Sequence, residues 1–194
     1  MCRVRLQIPL SVQSCPVRVC QGFSMLELLI TVSVVAILSG LVVPGFSSMW
    51  LDSQRTTAVN GFVQRVPLAR STAAHRGRTV TICRSDDGQS CSHRTDGWQA
   101  GWMVFVNSDD DQPPERDPNE TILAVFNTWP GGTISSNRTA YSFRPYIHRI
   151  VNGSVVFCDR RGASQARAVI INSAGRPRVS SRDGSNQPLR CPTG

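Results

Sequence analysis

The sequence predicts an α+β fold: one long N-terminal helix, its first half membrane-spanning, packed on antiparallel β-sheet. Three observations predict it. Residues 23–43 form an apolar run whose single charge is Glu27. Beyond that run Val59, Phe62, Val66, Ala69 and Ala73 recur at steps of three and four, the spacing of one helix face. After Gly77 the pattern changes to period two and to β-branched residues between turn signals, which marks strands.

The apolar run comes first in chain order. Its 21 residues would span about 31 Å as a helix, close to the ~30 Å hydrocarbon thickness of a bilayer. Arg3, Arg5 and Arg18 precede it, so the N-terminus is expected to stay cytoplasmic and the remainder to face the periplasm. An ordinary secretory signal has a shorter apolar core and a small-residue cleavage site after it. A plain anchor leaves Glu27 unexplained, because an acid near an apolar core is costly and usually has a partner. A cut between Gly22 and Phe23 would supply one. It would free an α-amino group at Phe23, and Glu27 would pair with the amine of a neighbouring subunit when such helices bundle.

Pro44-Gly45 follows and should kink or loosen a helix. The amphipathic stretch over 44–76 then continues the helix to about His75, with Pro67 expected to bend it and Gly77 to stop it. Seven strands are expected after Gly77: Arg78 to Cys83, Gly101 to Val106, Thr121 to Phe126, Thr139 to Phe143, Ser154 to Cys158, Arg167 to Asn172, and Pro177 to Ser181. They form one β domain over 77–194, ending in an irregular tail.

Charge and cysteine set the compartment and the partner class. The formal net charge is +8, and all 21 basic residues are arginine. Residues 85–120 hold nine acids and two arginines, whereas residues 121–194 hold ten arginines and two acids. A basic segment of this kind favours a polyanion partner. Seven cysteines are present, and a cut after Gly22 leaves four: Cys83, Cys91, Cys158 and Cys191. An even number beyond the apolar run suits an oxidising compartment. Four cysteines allow three pairings, of which Cys83–Cys91 with Cys158–Cys191 is the expected one.

The residues also carry a resemblance. "GFSMLELLITVSVVAILSGLVVPGF" resembles the start of type IV pilins and type II secretion pseudopilins. In that family a prepilin peptidase cuts after the glycine and methylates the new N-terminal residue. The resemblance implies that residues 1–22 are a leader, that Gly22 and Phe23 flank the cut, and that Glu27 is the family's assembly acid. The leader is longer than the short basic one most members have. "HRGRTVTIC", "GWMVFVNSDDD", "NETILAVF" and "ARAVIINSAGRPR" resemble the GspH/FimT branch of pilin-like proteins. The implied protein is a minor pilin, placed first in the inner membrane and then in a pilus or pseudopilus. Its implied partners are other pilins, through the helix, and the prepilin peptidase.

Three candidate sites follow. "SAGRPRVSSR", residues 173–182, places Arg176 and Arg178 two residues apart beside a turn at Gly175. Two guanidiniums so spaced grip successive phosphates. In the FimT group a G-R-x-R element here is associated with binding double-stranded DNA during natural transformation. Arg182 and Arg190 extend the expected patch, as do Arg160, Arg161 and Arg167 if the sheet brings them close. The alternative is a purely structural minor pilin or pseudopilin whose arginines only keep the tip soluble. Trp98, Trp102 and Trp129 are candidates for stacking on bases, with Trp102 the better candidate for core.

The second site is "NSDDDQPPERDPNE", where Asp109, Asp111, Asp117 and Glu120 offer oxygen ligands of the kind calcium takes. No EF-hand glycine accompanies them, so a solvated acidic loop is the expected reading. The third is catalysis. His75, His93 and His148 are isolated, and no nucleophile motif, zinc spacing or phosphate loop occurs, so neither enzymatic activity nor a cofactor is expected.

Overall fold

The structure is a computed structural model that describes residues 23–146 and 152–192. The leader with Gly22, the cysteines Cys2, Cys15 and Cys20, and His148 lie outside the described residues. The chain divides into two compact units, residues 1–44 and 45–194.

Helix α1 runs Met25–Arg76 and crosses both units. From Met25 to Gly40 its side chains are exposed, among them Leu26, Leu29, Ile30 and Leu38. Ser24 starts it: the Ser24 Oγ accepts the Glu27 N–H at 3.1 Å, and the Ser24 carbonyl accepts the Leu28 N–H at 3.1 Å. A serine cap satisfies donors that the first turn leaves open, and an acid in that turn suits the helix dipole. Among the described residues no helix is long and apolar enough to cross a membrane.

In the second unit α1 buries Leu51, Ala58, Val59, Phe62, Val66, Ala69 and Ala73, the face its periodicity predicts. The helix continues through Pro44-Gly45 and Pro67, and Pro67 lies on the exposed face. Gly77, at φ 62°, ends it, donating its N–H to the Ala73 carbonyl at 3.0 Å. That left-handed conformation is open to glycine at no steric cost.

Two four-stranded antiparallel sheets follow, where the sequence suggested one. The first holds β1 (Thr79–Arg84), β2 (Trp102–Asn107), β3 (Ile122–Phe126) and β5 (Ala140–Phe143), in the order β3-β2-β1-β5. The second holds β4 (Gly132–Ser136), β6 (Gly153–Asp159), β7 (Arg167–Ile171) and β8 (Pro177–Ser180), in the order β4-β6-β7-β8. Strand β4 is not among the seven strands expected from the sequence. Its sequence, Gly-Thr-Ile-Ser-Ser, offers one apolar residue, Ile134, and it forms because β6 supplies a full antiparallel partner.

The inner faces of both sheets close on α1 around Phe62. Its ring meets Trp98, Trp102, Tyr141 and Phe157 edge-on, with centroids 5.7–6.4 Å apart. Such pairs add about 0.5–1.5 kcal/mol each beyond their buried area. Trp98, in a short 3-10 helix, Trp102 and Trp129 are all buried here. They are core residues, and the stacking role weighed for them is corrected: none of these three indole faces is open to a base.

Each sheet also has a small outer cluster. On the first sheet Cys83, Met103 and Phe105 lie under the loop closed by the Cys83–Cys91 disulfide. On the second, Cys158, Ala168 and Ile170 lie under the tail residue Leu189, and the Cys158–Cys191 disulfide holds the tail there.

Candidate nucleic-acid interface

The β7–β8 hairpin is set by Asn172 and Gly175. The Asn172 Oδ1 accepts the N–H groups of Ala174 at 3.0 Å and Arg176 at 2.9 Å. The Asn172 carbonyl accepts the Gly175 N–H at 2.8 Å, and its own N–H reaches the Arg176 carbonyl at 3.2 Å. Gly175 takes φ 68°, the left-handed position that a three-residue hairpin loop assigns to glycine. Pro177 opens β8, which is an edge strand, where a missing N–H disrupts no ladder. The tip is thus fixed by a short network rather than left as a mobile loop.

Register places the arginines. Arg178 pairs with Ile170 of the outer cluster, and Val179 pairs with Val169 of the core. Residues two apart share a face, so Arg176 and Arg178 both lie on the outer face. Both are exposed. Among the described residues neither guanidinium has a carboxylate within ion-pair distance.

The other candidates divide. Arg182 lies just beyond β8, with its Nη1 donating to the Asn186 carbonyl at 3.0 Å, and Arg190 is exposed beside the buried Leu189. Arg160, Arg161 and Arg167 lie at the opposite end of β7, one strand length or roughly 16 Å from the hairpin. The expectation that they extend the hairpin patch is corrected. Arg161 is bound by Asp52 and Asp159, both at 2.7 Å, and those carboxylates hold its guanidinium well above its usual pKa. Arg167 turns its Nη1 to the Ala166 carbonyl at 2.9 Å, and its register puts it with Val169 on the other face.

No sequence signal marks the network behind Arg161. Arg55 is buried on α1 and meets Asp159 at 3.2 Å, Asp52 at 2.7 Å and the Gln165 carbonyl. Asp159 is held below the usual carboxylate range, chiefly by its hydrogen bond with Arg161. Arg55 lies on the buried helix face, but an arginine at that spacing reads as solvated until its partner strand is known.

The acidic loop meets its own backbone. Glu120 accepts the Ser108 N–H and, at 3.1 Å, the Asp117 N–H. Asp111 accepts from Asn107 at 2.7 Å and from the Glu115 N–H at 2.8 Å. Asp109 makes a long contact to the Asp111 N–H at 3.4 Å. Among the described residues no group of three or more His, Cys, Asp or Glu is placed to hold a metal ion.

Two family models match the sequence. Residues 58–175 match the model described as type II transport protein GspH, and residues 17–43 match the prokaryotic N-terminal methylation motif. Among solved structures, the chain is similar to a crystal structure of the Pseudomonas aeruginosa (strain PAO1) type IV minor pilin FimU. The identity is 17%, the TM-score 0.50, and the match covers 70% of this chain and 98% of that one. A second crystal form of FimU matches at 17% identity and TM-score 0.49, over 72% of this chain and 96% of that one. At such identity the likeness shows a shared fold and no more. No curated protein matches the sequence significantly.

Proposed function

The chain belongs to the GspH family and carries the N-terminal methylation motif on a pilin-like α+β fold, and from that premise we propose that it is a minor pilin that binds DNA for uptake. Residues 1–22 are removed as a leader, Phe23 becomes the methylated N-terminus, and residues 23–43 hold the chain in the inner membrane before assembly. In the filament Glu27 pairs with the amine of a neighbouring subunit. The exposed apolar side chains from Phe23 to Leu38 support a buried role for this stretch in bilayer and bundle alike.

One observation carries the DNA reading. Arg176 and Arg178 share an exposed face of a braced hairpin, and among the described residues neither meets a carboxylate within ion-pair distance. Rigid, unpaired guanidiniums match phosphate geometry well. Contacts of this kind hold the backbone and read no sequence. The test titrates the protein against duplexes of unrelated sequence at several salt concentrations, beside an Arg176→Gln, Arg178→Gln double variant. The wild type is expected to bind all duplexes alike, with a salt slope near −1.8 from two phosphate contacts, at about −0.9 each. The double variant is expected to lose that slope. Equal binding by the double variant would leave the protein a structural filament subunit.

A further inference from the structure

A polar groove of about 500 Å³ opens beside the hairpin, lined among others by Asn137, Asn152, Asn172, Arg178 and Asp183. That volume is within the ~300–1,000 Å³ of small-ligand sites. Resting on the DNA reading above, we infer that this groove seats one unpaired nucleotide, so that the protein prefers single strands and frayed ends to uninterrupted duplex.

The hydrogen-bond pattern decides which chemistry the groove presents. The Asn137 Oδ1 accepts the Ser154 N–H at 2.8 Å, and the Asn172 Oδ1 accepts two N–H groups of the hairpin. With both carbonyl oxygens tied to backbone, the end of each amide left for a ligand is its NH2. Asp183 behaves in the opposite sense. Its Oδ1 accepts the N–H groups of Ser185 and Gln187, both at 2.8 Å, which leaves Oδ2 as an acceptor. Arg178 and Asp183 line one groove, yet no ion pair joins them. A cation, fixed amide donors and a separate carboxylate oxygen therefore share one recess.

A nucleotide is complementary to that set. Its phosphate matches Arg178, and an N–H or amino group of its base matches Asp183. Those base donors lie on the Watson–Crick edge, which is engaged in a duplex and open in a single strand. Extruding a paired base is costly, and least so where the base is already unpaired. None of the side chains lining the groove is aromatic, so base stacking adds nothing and the edge contact makes the distinction.

The test uses the full chain in a non-ionic detergent. Labelled mixed-sequence oligonucleotides, single-stranded and duplex, are titrated at low salt by fluorescence anisotropy. The single strand is expected to bind about tenfold tighter. The informative variant is Asp183→Asn, which keeps the Oδ1 acceptor that shapes the tail turn and replaces only the oxygen that the turn leaves unused. It is expected to bring the single-strand affinity down to that of the duplex and to leave the duplex affinity unchanged. Arg176→Gln is expected to weaken both forms alike. If Asp183 acts only as a repelling charge, Asp183→Asn will tighten both forms, and the inference is overturned. Equal wild-type affinity for the two forms overturns it as well, while leaving the hairpin reading intact. Binding to neither form overturns both readings together.

Discussion

Around the first sheet most of the chain's carboxylates are engaged by its own donors, whereas on the outer face of the second sheet Arg176 and Arg178 are exposed and, among the described residues, meet no carboxylate. Asp87 accepts the N–H groups of Gln89 and Ser90 and the hydroxyls of Ser85 and Ser90. Asp110 takes Arg144 at 2.7 Å, Asp96 takes Arg94 at 2.9 Å, and Glu120 anchors the base of the acidic loop. The acidic excess of residues 85–120 is thus largely cement for two loops. The basic excess of residues 121–194 is mixed: Arg161 and Arg144 are cement, and the hairpin pair is not. Net charge alone cannot separate the two cases, because it counts charges and not their partners.

The sharpest way to break this comparison is to free a charge that is now engaged. Asp159→Ala removes the fully buried partner of Arg55, whose side chain is only 6% exposed. Removing one member of a buried pair costs about 3–5 kcal/mol where the other charge is left uncompensated, and less than that is expected here because Asp52 still meets Arg55 at 2.7 Å. Urea unfolding should show that loss, and an added Arg55→Leu substitution should recover part of it. A loss within ~0.5 kcal/mol would place the network among weak surface pairs.

The two disulfides set up the next contrast. Cys158–Cys191 closes a separation of 33 residues and Cys83–Cys91 one of 8. By loop-closure entropy the first contributes about 4 kcal/mol and the second about 2.5 kcal/mol. Serine pairs at each site, compared by thermal melting, should rank in that order. The reverse order would mean that the acidic loop, and not the basic tail, depends more on its staple.

The helix was legible because its pattern is long and one-sided: Val59, Phe62, Val66, Ala69 and Ala73 are buried at the spacing that predicts them. The strands rich in β-branched residues were legible for a similar reason. β4 was not, since Gly132, Thr133, Ser135 and Ser136 carry little apolar signal and depend on β6 for their pairing. The split into two sheets was hidden because strand order is a long-range property, which periodicity does not encode. At the site, Gly175, Arg176 and Arg178 could be read from four consecutive residues, since a tight hairpin is a local structure. The place of Arg160, Arg161 and Arg167 at the far end of β7 could not. Nor could two of the partners of Arg55, Asp159 and the Gln165 carbonyl, which lie more than a hundred residues away in sequence.

The smallest expected effect separates the two regions by pH. Asp87 is held far below the usual carboxylate range, first by the N–H groups of Gln89 and Ser90. Asp96 is lowered by its hydrogen bond with Arg94, and Asp110 by its hydrogen bond with Arg144. A carboxylate whose folded pKa is depressed adds stability above its unfolded pKa, about 3.9 for aspartate, and loses it as pH falls through the folded value. The urea midpoint should therefore stay level between about pH 5 and 8 and decline below about pH 4. Asp87→Ala should lower the midpoint at pH 7, and its gap from the wild type should narrow steadily below about pH 4. The hairpin has no counterpart to this. Neither of its two guanidiniums depends on an engaged carboxylate among the described residues, so duplex affinity at fixed salt should stay level wherever the fold persists. A midpoint that holds down to pH 2 would show that the acidic loops are solvated ornaments, and that the contrast between engaged acid and open base is one of charge alone.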